Sequence, residues 1–322
     1  SLARCEATDE KFACWNYGGG GKTEFAANDG GQRMPGDRWE TCRSFKQLLS
    51  KEYTTGKVLG HGFGPDTYKP DYSYLKGDIT QAYTEKVKEA KRSFVFLNLH
   101  AAEVPGALIV FDKVVSSDPQ FKKFWLLHSI EEPVIEGNRF TVRRTKNGDT
   151  GMLQNHVLLP ETGNAQIEKV GGKGKEFWVF GTNYPNDALP NRPDDANERG
   201  AWRVEVSPAA PATENYFLNV MQVADNTCKQ MNNVKRIDAE RVVGVQIADR
   251  VVTFSKDSRP LSGKVDMKVD GNATMKFVIT DLIPGTWQIK KNGKVYIPAM
   301  EVRSDDGILS FEGTAGHYEF LR

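Results

Sequence analysis

The amino-acid sequence predicts an all-β protein, in which an antiparallel β-sandwich is followed by a smaller antiparallel β domain. Short runs rich in β-branched and aromatic residues recur along the chain, and turn-forming residues separate them. The 322 residues include 30 glycines, and 10% of them are aromatic. Segments with helical periodicity are few and short. A sandwich is the architecture typical of this pattern.

The most apolar stretch, Lys91 to Ile130, contains three strand-like runs. These are Ser93–Leu97, Ala107–Asp112 and Phe124–His128. Because sequential strands with short connections commonly pair, we predict that the three form an antiparallel meander. Their nearly continuous apolar character favours a buried sheet, covered on both faces or packed on another sheet, over a sheet with one wet face.

Further strand-like runs complete the predicted sandwich. They are Arg139–Arg144, Met152–Leu159, Phe177–Phe180, Trp202–Val206 and Tyr216–Val223. In the Trp202–Val206 run apolar and polar residues alternate strictly, which predicts a strand with one face in water. Helices are predicted only as single turns, at Ser44–Ser50 and around Thr80–Tyr83.

A second unit is predicted from Asn226 onward, so we divide the chain into domains at 1–225 and 226–322. It contains eight short strand-like runs: Val242–Ile247, Val251–Phe254, Lys264–Val269, Met275–Ile279, Thr286–Lys290, Lys294–Ile297, Ile308–Phe311 and Tyr318–Leu321. Asn292-Gly293 predicts a type I′ hairpin, because both turn positions need positive φ angles. Asp306-Gly307 predicts a second, similar turn.

Net charge and cysteine spacing exclude several classes. The formal net charge is +1, so any affinity for an acidic polymer must come from local patches, and no nucleic-acid partner is predicted. The longest apolar run is far shorter than a membrane helix, so no membrane partner is predicted. The cysteines are Cys5, Cys14, Cys42 and Cys228, and none form a CxxC pair. Cys5 and Cys14 form either a disulfide in an oxidising compartment or two free thiols.

Residues with catalytic chemistry do not form a recognisable pattern. The five histidines lack metal-ligand spacing, and no nucleophile and base are paired, so the sequence predicts no catalytic and no metal-binding residue. A basic cluster offers binding chemistry instead, since arginine grips sulfates and carboxylates through two hydrogen bonds. It comprises Arg139, Arg143, Arg144 and Lys146, but a solvated strand edge is the favoured explanation, because the arginines fall on both faces of the strand.

Seven collinear segments, from about residue 24 onward, resemble heparinase II. They are Phe25–Arg33 (FAANDGGQR), Tyr74–Thr80, Ile109–Val115, Phe121–Ile130, Gly171–Lys175, Trp178–Tyr184 and Leu282–Gln288. The resemblance implies a bacterial polysaccharide lyase with an α/α toroid, a central sandwich and a C-terminal β domain. Such enzymes cleave heparin and heparan sulfate beside a uronic acid by β-elimination.

The resemblance covers the sandwich and the C-terminal domain only. It implies that the sandwich is incomplete at its N-terminal edge, and that the family's tyrosine and histidine acid/base residues lie upstream of Ser1. The family's structural zinc, held by two histidines and an aspartate, is likewise expected upstream, so this chain is expected to hold no cofactor. We therefore expect the chain alone to be inactive and the whole enzyme to be a lyase.

The same resemblance places a glycine-rich segment near the substrate cleft. Tyr17–Arg33 follows the expected zinc-ligand strand, so Asn28, Gln32 and Arg33 are candidates to contact a sulfate or carboxylate. A plain surface loop is the competing interpretation. The implied partners are heparin or heparan sulfate and the toroid, with a homodimer possible for the full-length enzyme. The implied location is the bacterial periplasm or exterior, although this chain shows no signal peptide. Alternative functions are a non-catalytic glycosaminoglycan-binding or scaffold unit and a lyase for another uronate polymer, such as chondroitin sulfate.

Overall fold

The computed structural model describes residues 4–5, 11–12, 26–27, 32, 43–50, 53–83, 85–176, 178–179, 182–183 and 201–322. One helix, α1 (Phe45–Leu48), begins at Ser44, whose hydroxyl accepts a hydrogen bond from the Gln47 backbone N–H. Within the described ranges, a single 3₁₀ turn spans Thr80–Ala82. Both helical turns match the predicted ones. No helix in the described ranges is long and apolar enough to cross a membrane.

The strands dominate the structure. In chain order they are β1 (Arg4–Cys5), β2 (Lys11–Phe12), β3 (Ala26–Ala27), β4 (Lys57–Gly64), β5 (Tyr72–Asp78), β6 (Val87–Asn98), β7 (Gly106–Ser116), β8 (Lys123–Ser129), β9 (Val134–Glu136), β10 (Arg139–Lys146), β11 (Asp149–Leu159), β12 (Ala165–Gly171), β13 (Trp178–Val179), β14 (Thr182–Asn183), β15 (Trp202–Pro208), β16 (Glu214–Ala224), β17 (Val234–Asp238), β18 (Val242–Ile247), β19 (Arg250–Ser255), β20 (Val265–Val269), β21 (Met275–Ile279), β22 (Gly285–Lys291), β23 (Lys294–Val302), β24 (Leu309–Gly313) and β25 (Gly316–Leu321). The predicted all-β class is confirmed.

Four sheets stack on one another. A four-stranded sheet (β1-β8-β15-β12) packs on an eight-stranded sheet (β4-β5-β6-β7-β16-β11-β10-β9). The opposite face of the eight-stranded sheet packs on a five-stranded sheet (β17-β18-β19-β21-β24), which in turn packs on a second four-stranded sheet (β20-β25-β22-β23). The first pair is the predicted sandwich and the second pair forms the C-terminal β domain.

The middle sheets are covered on both faces, which explains their continuous apolar sequences. In β7, Ile109 and Phe111 point into the layer shared with the five-stranded sheet. Val110 and Val114 point into the layer shared with the first four-stranded sheet. Since side chains alternate between faces along a strand, a strand with two buried faces can be apolar at consecutive positions, as it is over Ala107–Phe111. The expectation of a doubly covered sheet is confirmed.

The predicted three-strand meander is only partly correct. Strands β6 and β7 pair antiparallel, with Val95 opposite Ile109. Strand β8 instead crosses to the other sheet of the sandwich, where Trp125 lies opposite Val206 of β15. The place beside β7 belongs to β16, which is about a hundred residues further along the chain. Local spacing carries no information about this long-range exchange.

The wet face predicted for Trp202–Val206 is also wrong. Arg203 and Glu205 lie on the outer face of β15, yet both are buried, at 7% and 8% exposure. Arg203 Nε donates to Glu205 Oε1 at 2.6 Å, and Arg203 Nη1 donates to the Trp178 carbonyl oxygen at 2.5 Å. The β13–β14 hairpin therefore covers this face, and ion pairing compensates the buried charges.

The C-terminal β domain contains all eight predicted strands and β17 in addition. Asn292 and Gly293 have φ angles of 51° and 77° and join β22 to β23, so the predicted hairpin turn is confirmed. The turn at Asp306-Gly307 is also present, but it links β23 to β24, which belong to different sheets. One pair, β19 with β21, is parallel within the otherwise antiparallel domain.

Strand β4 was not predicted from the sequence, because three glycines interrupt its apolar residues. Gly60, Gly62 and Gly64 face the C-terminal β domain, and a Cβ on Gly62 would lie 2.9 Å from the Asp306 Cβ. The His61 backbone N–H donates to the Asp305 carbonyl oxygen at 3.0 Å. The glycines therefore permit close contact between backbones. Consequently, one continuous apolar cluster draws residues from both sides of residue 226.

Candidate functional site

The three predicted substrate-binding residues lie between residues 13 and 42, where the structure describes only residues 26–27 and 32. Gln32 is partly buried and sits outside any helix or strand. Asn28 and Arg33 lie outside the described residues. The predicted contacts of this segment with a sugar acid therefore stay predictions, as does the alternative of a plain surface loop. Cys14 also lies outside the described residues, whereas Cys228 is a free, partly buried thiol.

A group of lysines and tryptophans lies at one corner of the sandwich, and we call it the lysine–tryptophan corner. Its members are Lys169, Lys175, Trp178 and Trp202. Lys169 Nζ lies 5.8 Å from the centre of the Trp202 ring, and Lys175 Nζ lies 5.6 Å from the Trp178 ring. Both distances are those of cation–π contacts. Both tryptophans are partly exposed.

The backbone beneath the corner is shaped to hold Trp202. Gly171 and Gly172 have positive φ angles, and a Cβ on Gly172 would lie 2.9 Å from the Trp202 ring. Only glycine leaves room for the indole here. Lys169 is itself held by Glu132, whose Oε1 accepts from Nζ at 2.5 Å. The ring and the ammonium group are therefore fixed relative to one another.

The loop between β12 and β13 closes on Glu176. The Glu176 carboxylate accepts hydrogen bonds from the Gly174 N–H at 3.0 Å and from Asn183 Nδ2 at 3.1 Å. Backbone N–H donors hold the pKa of Glu176 below its usual value. This closure leaves Lys173 and Lys175 exposed on the loop. Exposed lysines beside partly exposed aromatic rings suit an anionic sugar polymer, because the rings pack on sugar faces and the ammonium groups meet sulfates or carboxylates.

The basic cluster predicted on Arg139–Lys146 proves to be divided between the faces of β10. Arg139 and Arg143 share one face, and Arg143 Nη1 donates to the Asn226 carbonyl oxygen at 3.3 Å. Arg144 lies on the other face and pairs with Glu131 at 3.4 Å. The cluster is therefore not one converging cationic site, and Arg143 and Arg144 have partners within the chain.

The described histidines also have separate surroundings. His100 Nε2 lies 2.8 Å from Asp71 Oδ1, His156 Nε2 lies 2.9 Å from Asn138 Nδ2, and His317 lies 3.6 Å from Asp266. Within the described ranges, no group of three His, Cys, Asp or Glu side chains is placed to hold a metal ion.

His156 makes folding stability depend on pH. It is 8% exposed, and burial, together with Arg139 opposite it, lowers its pKa to about 4 from the ordinary 6.5. Folding therefore favours the neutral ring, so the full stability is present above pH 6.5 and is lost as the pH falls towards 4. We expect His156→Gln to remove a pH-dependent loss on the order of 2 kcal/mol between pH 7.5 and 4.5.

Urea unfolding of both proteins at these two pH values measures that difference. Arg139→Gln is the matched control, because removing the opposing charge should raise the pKa of His156, as read by NMR titration, and reduce the effect. Identical pH dependence in the parent and His156→Gln proteins would contradict the assignment.

The stacked antiparallel sheets define an all-β protein, and the lysine–tryptophan corner gives it a surface with cations beside partly exposed aromatic rings. Comparison with known proteins makes this more specific. Residues 236–322 match the family model of the heparinase II C-terminal domain. For these residues, the match confirms the resemblance noted in the sequence.

Solved structures similar to part of the chain include two lyases. The heparan sulfate lyase HepC from Pedobacter heparinus is 13% identical with a TM-score of 0.37, over 60% of this chain and 26% of that one. A heparinase III with methylated lysines is 11% identical with a TM-score of 0.39, over 70% of this chain and 33% of that one. This chain thus spans about a quarter to a third of their lengths. No curated protein sequence matches the chain.

Proposed function

We propose that this chain is the β portion of a polysaccharide lyase of the heparinase II type. Its role is to bind heparin or heparan sulfate, and the whole enzyme, joined to an α/α toroid, cleaves the chain beside a uronic acid. The observation that carries the proposal is the match of residues 236–322 to the heparinase II C-terminal domain. The collinear sequence similarities extend the proposal to the sandwich.

The proposed reaction is β-elimination, in which a base removes the uronate C5 proton and an acid protonates the departing oxygen. Neutralising the uronate carboxylate stabilises the charge that develops in the transition state. The acid and base, and the two histidines and aspartate that bind zinc, are proposed to lie upstream of Ser1. This chain therefore contributes substrate binding and is inactive alone.

The lysine–tryptophan corner supports the binding role. Lys169 and Lys175 sit against Trp202 and Trp178 on a surface shaped by glycines, and Lys173 is exposed beside them. The formal net charge of +1 gives no overall attraction for a polyanion. A local group of cations is therefore the kind of feature that a sulfated glycan requires.

A second feature supports a role within a larger assembly. Large apolar side chains are exposed at the β4–β6 end of the eight-stranded sheet, with Phe63 53%, Leu75 42% and Phe96 47% exposed. Exposed apolar groups of this size are typical of interfaces. The toroid, or a second copy of the enzyme in a homodimer, is the proposed partner. The proposed location is the bacterial periplasm or exterior.

The experiment compares this chain with a protein that also carries the toroid, on heparin, heparan sulfate and chondroitin sulfate. The ultraviolet absorbance of the unsaturated uronate product measures elimination. We expect activity on heparin or heparan sulfate from the longer protein only. Activity confined to chondroitin sulfate would indicate a lyase for another uronate polymer. Glycan binding without any product would indicate a non-catalytic binding or scaffold unit.

Arg33 is the first residue to test in the active protein. Because we propose that it contacts a sulfate or carboxylate, Arg33→Ala should lower kcat/KM by about tenfold or more, which is the loss of one charge-assisted hydrogen bond. Arg33→Lys is the matched control, since it keeps the charge and should retain part of the activity. Unchanged kinetics in Arg33→Ala, with unchanged thermal stability, would remove the segment from the binding site.

A further inference from the structure

A cleft of about 210 Å³ lies where the eight-stranded sheet meets the five-stranded sheet. Its lining includes Pro65 and Tyr72 from the sandwich and Arg250, Lys276, Val278 and Ser310 from the C-terminal β domain. The volume is below the roughly 300–1,000 Å³ that drug-sized ligands occupy. The cleft is therefore sized for one small ring and its substituents.

The register of the five-stranded sheet places two cations side by side in this cleft. Arg250 lies directly opposite Lys276 in the parallel β19–β21 pair. The next row contains Val252, Val278 and Ser310. Like charges directly opposite one another destabilise a sheet unless an anion lies between them. Acidic groups are therefore expected beside these two cations, and Glu312 of β24 lies directly opposite Lys276 in the same row.

Asp71 supplies one such anion from the sandwich side. Its carboxylate accepts from Lys276 Nζ at 2.6 Å, lies 2.8 Å from His100 Nε2, and lies 3.8 Å from Arg250 Nη2. Asp71 thus balances Lys276, and Asp249 pairs with Arg250, so a ligand would accept from the donors that these two carboxylates leave unused. Lys276 is 37% exposed at its side chain, so it also remains accessible to a ligand.

The Arg250 side chain is 2% exposed, and one of its N–H donors is not used in a hydrogen bond. Nη2 donates to the Asn98 carbonyl oxygen at 3.0 Å, and Nη1 contacts Asp249. Nε has no hydrogen-bond partner among the described residues. A buried guanidinium donor without an acceptor costs free energy, and a ligand oxygen that accepts from it would recover that cost.

We propose that this cleft binds one acidic sugar residue through its carboxylate or sulfate, at a site separate from the lysine–tryptophan corner. The choice of ligand class rests on the proposed function of the chain. Arg250 and Lys276 bind the acidic group, the Ser310 hydroxyl meets a sugar hydroxyl, and Pro65 and Val278 provide an apolar wall for the ring. A chain held at both sites is bound more tightly than at either one.

NMR titration of the backbone amides of the 322-residue chain tests the proposal. The probes are a fully sulfated heparin disaccharide, the same disaccharide after desulfation, and inorganic sulfate. We expect shifts at Arg250, Lys276 and Ser310. Retained affinity after desulfation indicates that the uronate carboxylate is the bound group, and binding of inorganic sulfate together with loss on desulfation indicates the sulfate.

Three variants give effects of different sign. Lys276→Gln should weaken binding about tenfold, which is one charge-assisted contact. Glu312 lies opposite Lys276 at the exposed rim, so Glu312→Gln removes a repelling charge and should strengthen binding a few-fold. Lys268→Gln, on an exposed lysine of β20 outside the cleft, is the matched control and should change nothing.

Lys276→Gln also removes the ion pair with Asp71 and can destabilise the protein. Glu312→Gln leaves that ion pair intact, so it still tests binding in that case. Shifts confined to the lysine–tryptophan corner would overturn the proposal. So would equal weakening in Lys276→Gln and Lys268→Gln, or no strengthening in Glu312→Gln. Cleft binding without lyase activity in the longer protein would support this site and contradict the proposed function. Lyase activity without cleft binding would support the proposed function and contradict this site.

Discussion

Replacing Trp125 with alanine is expected to lower the free energy of unfolding by about 3–5 kcal/mol. Trp125 is 2% exposed and points from the first four-stranded sheet into the layer shared with the eight-stranded sheet. It packs there in one apolar cluster with Val110, Val206 and Phe217. Truncation leaves a cavity that these strands cannot readily close, because the eight-stranded sheet is held on its other face by the five-stranded sheet. Urea unfolding followed by circular dichroism measures the loss.

Trp125→Phe is the matched control, because it retains an aromatic ring in the same layer. The Trp125 indole N–H has no hydrogen-bond partner among the described residues, so its removal costs no hydrogen bond. We therefore expect the phenylalanine variant to keep most of the stability. A loss below roughly 1 kcal/mol in Trp125→Ala would show that the cluster does not depend on this ring.

Removing the Asp281 carboxylate is expected to cost about 3–5 kcal/mol, because it leaves a lysine charge without its partner at a largely buried site. Asp281 Oδ1 accepts from Tyr74 at 2.8 Å and from Lys76 at 2.7 Å, and both residues belong to the sandwich. Its Oδ2 accepts from the Ser255 N–H at 2.9 Å. One carboxylate thus joins the two pairs of sheets. Burial raises the pKa of Tyr74, which keeps its phenol protonated as a donor.

Two further variants separate charge from backbone effects. Asp281 has a φ angle of 67°, a conformation that asparagine tolerates better than alanine, so Asp281→Asn isolates the loss of charge. The double variant Lys76→Met with Asp281→Ala removes both charges and should be more stable than Asp281→Ala alone. Additive losses in denaturant unfolding would show that the two groups do not interact.

Features determined by neighbouring residues were predictable. The Asn292-Gly293 turn, the helical turn that Ser44 caps and the eight C-terminal strand runs depend on local conformational preferences and on alternation. The continuous apolar run of Ala107–Phe111 likewise predicted a sheet covered on both faces. In the candidate site, Gly171, Gly172 and Trp178 lie in segments whose sequence resembles heparinase II. The sequence did not predict that they lie close to Lys169 and Trp202.

The sequence by itself thus determined the all-β class, the turns and the alternation that assigns apolar side chains to layers, because these follow from interactions within a few residues. Only the tertiary structure decided which strands pair and what covers each face. Strand β8 crosses to β15, the outer face of β15 is buried, and three glycines in β4 admit the Asp305–Asp306 backbone. Arg250 and Lys276 become neighbours through a parallel pairing. Such contacts join residues far apart in the chain, and their free energy depends on the geometry of the whole stack of sheets.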